Sequence, residues 1–241
     1  MYHHCLFSTY KLINATTLGI SAKVWVVLEA TIALTRPVDT FLYTDITDPL
    51  GEPLFDELSY EYATRYGATH SLKSPENTES KKYPPILFTP PGGAFLLLLR
   101  DGEPIAGGAF MQIDKRTVEM KRIWTATDYR RQGLSTRVLH ELEAEAARRG
   151  FSRIYLTTGN RQPEARNLYL KTGYTPLFDV EADPAELGLL AFEKAIEPVI
   201  DPNAPKPGIR DRIHAWRQQR YIARAWTMRN PIPRRLDDAA F

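Results

Sequence analysis

The 241-residue sequence predicts an α/β (α+β) fold: a mixed, mostly antiparallel sheet of six to seven strands with helices on both faces. Three observations carry this reading. Strand signals at 94–100, 104–113 and 117–125 are joined by turns too short for a crossover, so they form an antiparallel meander. From Gly133 the apolar period changes to four, and a buried strand signal follows at 153–158, giving a strand–helix–strand crossover and one parallel pair. Two further strand signals, 174–178 and 188–193, close the domain as a hairpin with a long connection.

Phe41 to Thr44 reads as a short first strand, and Asp48 is placed to cap the helix after it. Leu54, Leu58 and Tyr62 give that helix its four-residue spacing, and Gly67 stands where a C-terminal stop is expected. Residues 69–85 are polar and rich in Pro and Ser, hence a loop or irregular helix. Asp101-Gly102 is a turn pair, and the second strand of the meander carries Gly107-Gly108. In the helix after Gly133, Leu134, Val138, Leu142 and Ala146 form the apolar stripe and Gly150 ends it. A shorter helix runs from Pro163 to Lys171 and stops at Gly173. The folded domain spans 39–198. Residues 1–38 are an N-terminal extension, helical or poorly ordered, and 199–241 are a Pro-rich linker followed by a basic helix over 209–228.

Hydrophobic residues are 43% and charged residues 25% of the chain, which excludes a disordered or collagen-like class. The single cysteine, Cys5, excludes a disulfide framework and a cysteine-built metal site and fits a cytoplasmic protein; no metal is expected. His3 and His4 beside it are ligand types, but sequence neighbours seldom converge on one ion. The apolar stretch 16–34 is interrupted by Lys23 and Glu29, so a transmembrane helix is not expected. The net charge of +2 is a cancellation, because residues 201–241 hold nine basic and four acidic side chains. That helix has Ile209, Ile213, Trp216 and Ala223 on one stripe with arginines around it. Packing of the stripe on the body or on a second subunit is the favoured reading, with nucleic-acid or membrane contact through 209–235 the alternative.

The stretch Tyr129-Arg130-Arg131-Gln132-Gly133-Leu134-Ser135 lies between a strand and an amphipathic helix. A loop opening a helix presents unpaired backbone N–H groups, which with the helix dipole bind anions. Gly133 leaves room for a diphosphate to approach. Upstream stands Glu119-Met120-Lys121-Arg122-Ile123-Trp124-Thr125, and downstream Gln162 to Tyr174.

In these three stretches residues 39–198 resemble a GNAT-superfamily N-acetyltransferase. The family's Arg/Gln-x-x-Gly-x-Gly/Ala loop is matched by Arg130, Gly133 and Ser135, with the serine a departure that keeps its backbone N–H. The resemblance implies a GNAT-like acyl-CoA N-acyltransferase fold, acetyl-CoA as acyl donor, and a small-molecule amine or protein amino group as acceptor, with a homodimer possible in principle. By the same resemblance, Ile123, Trp124 and Thr125 would run beside the pantetheine arm. Arg130, Arg131, Gln132, Gly133, Leu134 and Ser135 would hold the pyrophosphate, and Asn160 and Asn167 would meet the cofactor.

The attacking amine must lose a proton and the departing thiolate gains from receiving one. Glu119 is the candidate base, through water, on a face that alternation shares with Lys121 and Ile123. Pairing with Lys121 or Arg122 is the equally weighted structural reading of the same carboxylate. Tyr169 is the candidate acid, against a reading as a packed helix tyrosine. Trp124 also reads as strand core, and His70 and the Tyr60–Tyr66 segment identify no acceptor. The competing functional classes are a catalytically silent acyl-CoA-binding regulatory module and a nucleic-acid or membrane binder acting through the tail.

Overall fold

The computed structural model describes residues 37–67, 83–199 and 208–226, the last with side chains to Ile222. The expected leader helix, His3, His4, Cys5, His70 and the residues after 226 lie outside the described residues. Seven strands form one sheet: β1 (Asp39–Tyr43), β2 (Gly93–Arg100), β3 (Glu103–Gln112), β4 (Thr117–Thr125), β5 (Arg153–Gly159), β6 (Thr175–Pro176) and β7 (Leu189–Ala195). Their order in the sheet is β1-β2-β3-β4-β5-β7-β6. β2–β3 and β3–β4 are antiparallel, β4–β5 is parallel, and β7 inserts antiparallel between β5 and the two-residue β6. The meander, the crossover and the closing pair therefore form as the sequence predicts. The sixth strand is shorter than expected.

Among the described residues four α-helices complete the body: α1 (Glu52–Tyr66), α2 (Leu134–Arg148), α3 (Pro163–Lys171) and α4 (Ile209–Trp226). Asp48 caps a single 3-10 turn, Pro49–Gly51, by accepting from the Leu50 amide at 3.0 Å, and α1 then starts from Gly51. The two faces of the sheet carry separate cores. On one, Leu134, Val138, Leu142 and Ala146 of α2 and Tyr169 of α3 pack against Val118, Met120, Ile154 and Phe192. On the other, Leu54, Phe55 and Leu58 of α1 pack with Leu87, Phe88, Phe95, Trp124 and Ile222 of α4. Each fully buried Leu or Phe contributes about 1.5–3 kcal/mol relative to exposure, so both faces are strongly specified.

β4 carries a bulge that the alternating pattern did not reveal. Ala109 pairs with Lys121 but Gly107 pairs with Trp124, so β4 has one residue more than β3 here. Arg122 absorbs it at φ +57°. Gly107-Gly108 lies opposite, and a Cβ on Gly108 would sit 2.7 Å from Ile123 Cδ1. The bulge reverses the alternation. Glu119 and Lys121 face the α1 side, whereas Ile123 packs on the α2 side. The expectation that Glu119 and Ile123 share a face is therefore corrected.

The basic helix α4 docks through a face other than the expected stripe. Gln218 is 2% exposed and Ile222 8%, whereas Ile209, Ile213 and Trp216 are 68%, 48% and 56% exposed. Gln218 Nε2 donates to the carbonyls of Ile86 and Thr89 at 2.7 Å each, and its Oε1 accepts from the Gly92 amide at 3.3 Å. Those groups lie in and just after the 3-10 turn Pro85–Phe88, outside the strand ladder, and offer polar backbone atoms to the glutamine. Packing on the body is what α4 does in this fold, with a glutamine rather than isoleucines at the contact.

Candidate active site

α2 begins without a side-chain cap and without an acidic residue in its first turn. Its first-turn amides have no intrahelical acceptor, and the helix dipole gives them partial positive charge. Gly133, the cap residue, has φ +75° and Arg131 has φ +64°. Left-handed residues in such a turn aim successive N–H groups into one concavity suited to an anion. A Cβ on Gly133 would meet no protein atom within 4 Å, so glycine here serves backbone conformation and approach from outside.

The rest of the loop is tied down. The Arg130 amide is committed to Thr127 O at 3.4 Å, which leaves the amides from Arg131 to Ser135 for an anion. The Arg130 guanidinium donates to Thr125 O at 3.3 Å and to Glu61 at 3.1 Å. Arg100 holds Gln132 at 3.0 Å and lies over the Tyr129 ring. Ser135 Oγ and Thr125 Oγ1 are 2.8 Å apart, joining the first turn of α2 to the end of β4.

Beside this loop the sheet opens. The β4–β5 ladder runs from Thr117/Arg153 to Met120/Leu156 and stops, although β4 continues to Thr125 and β5 to Gly159. Trp124 pairs with Gly107 on β3, and the Ala126 amide bonds Ile105 O. By alternation, the N–H and C=O of Ile123 and Thr125 turn toward the opening. A strand edge beside an anion-binding helix terminus suits an extended ligand that carries amides and a diphosphate. The described residues thus fit the acyl-CoA arm in both its peptide-like and its phosphate portions.

Comparison with known proteins identifies the domain. The model of the Acetyltransferase (GNAT) family matches residues 55–174. These residues are a GNAT acetyltransferase domain. The domain is similar to the uncharacterized N-acetyltransferase YsnE of Bacillus subtilis, 34% identical over 90 residues, which are 35% of this chain and 60% of that protein. It is also similar to the uncharacterized N-acetyltransferase YedL of Escherichia coli, 33% identical over 90 residues, 35% of this chain and 57% of that one. The chain thus spans about 60% of the length of the curated relatives it matches. Among solved structures, a GNAT-family acetyltransferase of Staphylococcus aureus shares the fold at TM-score 0.51 and 12% identity, over 65% of this chain and 99% of that one. No helix among the described residues is long and apolar enough to cross a membrane.

Within the GNAT domain, Glu119 is buried between Met111 of β3 and Tyr155 of β5 and forms an ion pair with Lys121. Burial works against the Lys121 charge, but the Glu119 carboxylate and the Tyr83 hydroxyl outweigh it and raise the ammonium above the usual lysine range. Burial, and then Glu119, likewise raise the Tyr155 phenol. Next to this pair the Arg122 guanidinium is buried over the rings of Phe88, Phe55 and Tyr83 at 4.6, 5.5 and 5.6 Å. Tyr169 is buried on α3, its ring 5.7 Å from Tyr174 and 5.5 Å from Phe192, and burial holds its phenol protonated far above neutrality. Trp124 is 3% exposed in the α1-side core and its ring N–H donates to Glu57 at 3.1 Å. Asn160 Nδ2 donates to Leu187 O at 2.7 Å, and Asn167 is exposed on α3.

Sequence reasoning gave no role to the polar residues of α1. Glu57 accepts from the Trp124 ring, the Thr127 amide and the Thr127 hydroxyl. Glu61 accepts from Arg65, Arg130 and Gln162. Their i,i+4 spacing beside the Leu54/Leu58 stripe is the one signal that marks them, since it sets both carboxylates on the edge of the docked face.

Proposed function

We propose that this chain transfers the acetyl group of acetyl-CoA to a primary amine, by direct attack while both substrates are bound. The observation that carries this reading is the junction of the β4–β5 opening with the uncapped N-terminus of α2 at Gly133. The GNAT match over residues 55–174 and the relatives named N-acetyltransferases support it. Holding amine and thioester together turns a bimolecular step into an effectively unimolecular one, so positioning supplies much of the rate.

In this reading acetyl-CoA enters along Ile123–Thr125, its pyrophosphate on the amides of Arg131–Ser135. The amine approaches from the α1 side, where Glu119 pairs with Lys121 and Lys121 lies over the Tyr83 ring. Glu119 takes the ammonium proton through a water, the amine nitrogen bonds the thioester carbonyl carbon, and the C–S bond breaks as Tyr169 gives its proton to the sulfur. The second nitrogen proton passes to the tyrosinate, and Glu119 releases its own to solvent. Lys121 holds the Glu119 carboxylate in place through their ion pair.

Purified protein incubated with acetyl-CoA and a panel of primary amines is expected to release CoA thiol above the hydrolysis background with at least one class of amine. With that amine, Glu119→Gln should lower kcat by about 10²-fold, the usual contribution of a general base, with acetyl-CoA affinity preserved. Acetyl-CoA binding without thiol release on any amine would favour the silent regulatory module. Undiminished kcat in Glu119→Gln would leave Glu119 as the structural partner of Lys121 alone.

A further inference from the structure

β4 and β5 are not bonded to each other beyond Met120 and Leu156, yet the two free ends are connected. The connection runs through one side chain of α1. Thr125, at the end of β4, accepts from Arg130 Nε at 3.3 Å, and the same guanidinium reaches Glu61 Oε2 at 3.1 Å. From the other Glu61 oxygen the path continues to Gln162 Nε2 at 3.4 Å. Gln162 Oε1 then accepts from Thr158 Oγ1 at 3.0 Å and from the Gly159 amide at 3.2 Å, at the end of β5.

The neighbouring turn of α1 is committed to the same strand end. Tyr66 Oη accepts from the Arg161 amide at 3.1 Å, and Arg65 Nη1 donates to Arg161 O at 2.6 Å while Arg161 Nη1 donates to Arg65 O at 2.7 Å. Gly159 has no side chain because a Cβ there would lie 1.9 Å from Tyr66 Oη. α1 therefore bridges the mouth of the opening on the face away from α2. Within the bridge Glu61 is the shielded end, its side chain 16% exposed against 42% for Arg130.

We propose that Glu61 is a positioning residue that fixes the separation of β4 and β5, and so the width of the slot that takes the acyl-CoA arm. This rests on the acyl-CoA reading above. An arm inserted between two strand edges must meet both at hydrogen-bond distance, and a change of a few tenths of an ångström weakens every such bond together. Glu61 sets that distance by tying Arg130 and Gln162 to one carboxylate. It also keeps the Arg130 guanidinium off the anion site, leaving the phosphates to the backbone amides.

Calorimetric titration of the full chain with acetyl-CoA tests the proposal. Glu61→Gln and Gln162→Leu should each weaken binding by about tenfold, and the double variant by little more than either, because both cut one bridge. Melting midpoints should stay within about 3 °C of the parent, since neither change opens the core. Should Glu61→Gln fail to fold, Gln162→Leu cuts the β5 half of the bridge and reads the same loss. Unchanged affinity, or additive losses, overturns the proposal. Tighter binding in Glu61→Gln overturns it in the opposite sense, by showing that Glu61 withholds Arg130 from the phosphates. A parent chain that binds no acetyl-CoA removes the functional reading itself, and is told apart from the other outcomes by that first titration.

Discussion

Tyr169→Phe is expected to lower turnover by about 10²-fold or more, the contribution of a lost general acid, while acetyl-CoA affinity stays near that of the parent. The substitution is clean because the ring stays. Phenylalanine keeps the packing on Tyr174 and Phe192, so only the hydroxyl is removed from a fully packed site. Burial raises the Tyr169 phenol well above the ordinary tyrosine value, so it stays protonated across the neutral range and has a proton to give. Steady-state thiol release and calorimetry on the same preparation check the two halves of the expectation. Parent-like kcat would make Tyr169 a core residue of α3 and nothing more.

Gln218→Ala is expected to destabilise the folded chain by about 1–3 kcal/mol. The alanine leaves the Gly92 amide without its acceptor and removes one of two donors from each of the Ile86 and Thr89 carbonyls, which keep Thr89 Oγ1 and the Gly93 amide. An unsatisfied buried polar group costs about 1–3 kcal/mol, and water reaches some of those exposed by the change. His214, 2.9 Å from Thr89 Oγ1, and buried Ile222 keep part of the docking in place. Urea unfolding followed by fluorescence measures the difference, with Arg217→Gln on the outward face as the comparison, expected within about 0.5 kcal/mol of the parent. Equal stability of Gln218→Ala and the parent would mean that α4 is not part of the cooperative unit. The result bears on catalysis too. The segment that α4 holds leads through Phe88 to the buried Arg122 beside Lys121, so removing residues 208–241 would disturb the face from which the amine is proposed to approach.

Much of the fold was legible because its signals are local. The Asp101-Gly102 turn forces β2 and β3 together, with Asp101 at φ +53° and Gly102 at φ +92°. The stripe Leu134, Val138, Leu142 and Ala146 could bury only one face of α2, and it does so. The uncapped loop before α2 was legible for the same reason, since Gly133 and the opening of a helix act within one turn. Legibility failed where a residue's role depends on a partner far along the chain. Glu61 lies 69 residues from Arg130 and 101 from Gln162. Gln218 lies 132 residues from Ile86, so the face by which α4 meets the body could not be read from the helix alone.

The sequence by itself determined the order of elements, the meander, the crossover and the glycine turn that opens α2, because periodicity and turn chemistry are read one segment at a time. Only the tertiary structure decided that the Arg122 bulge sends Glu119 and Ile123 to opposite faces. It alone decided that β4 and β5 part after Met120 and are rejoined through Glu61. Strand separation and side-chain facing are properties of paired segments, and no single segment encodes them.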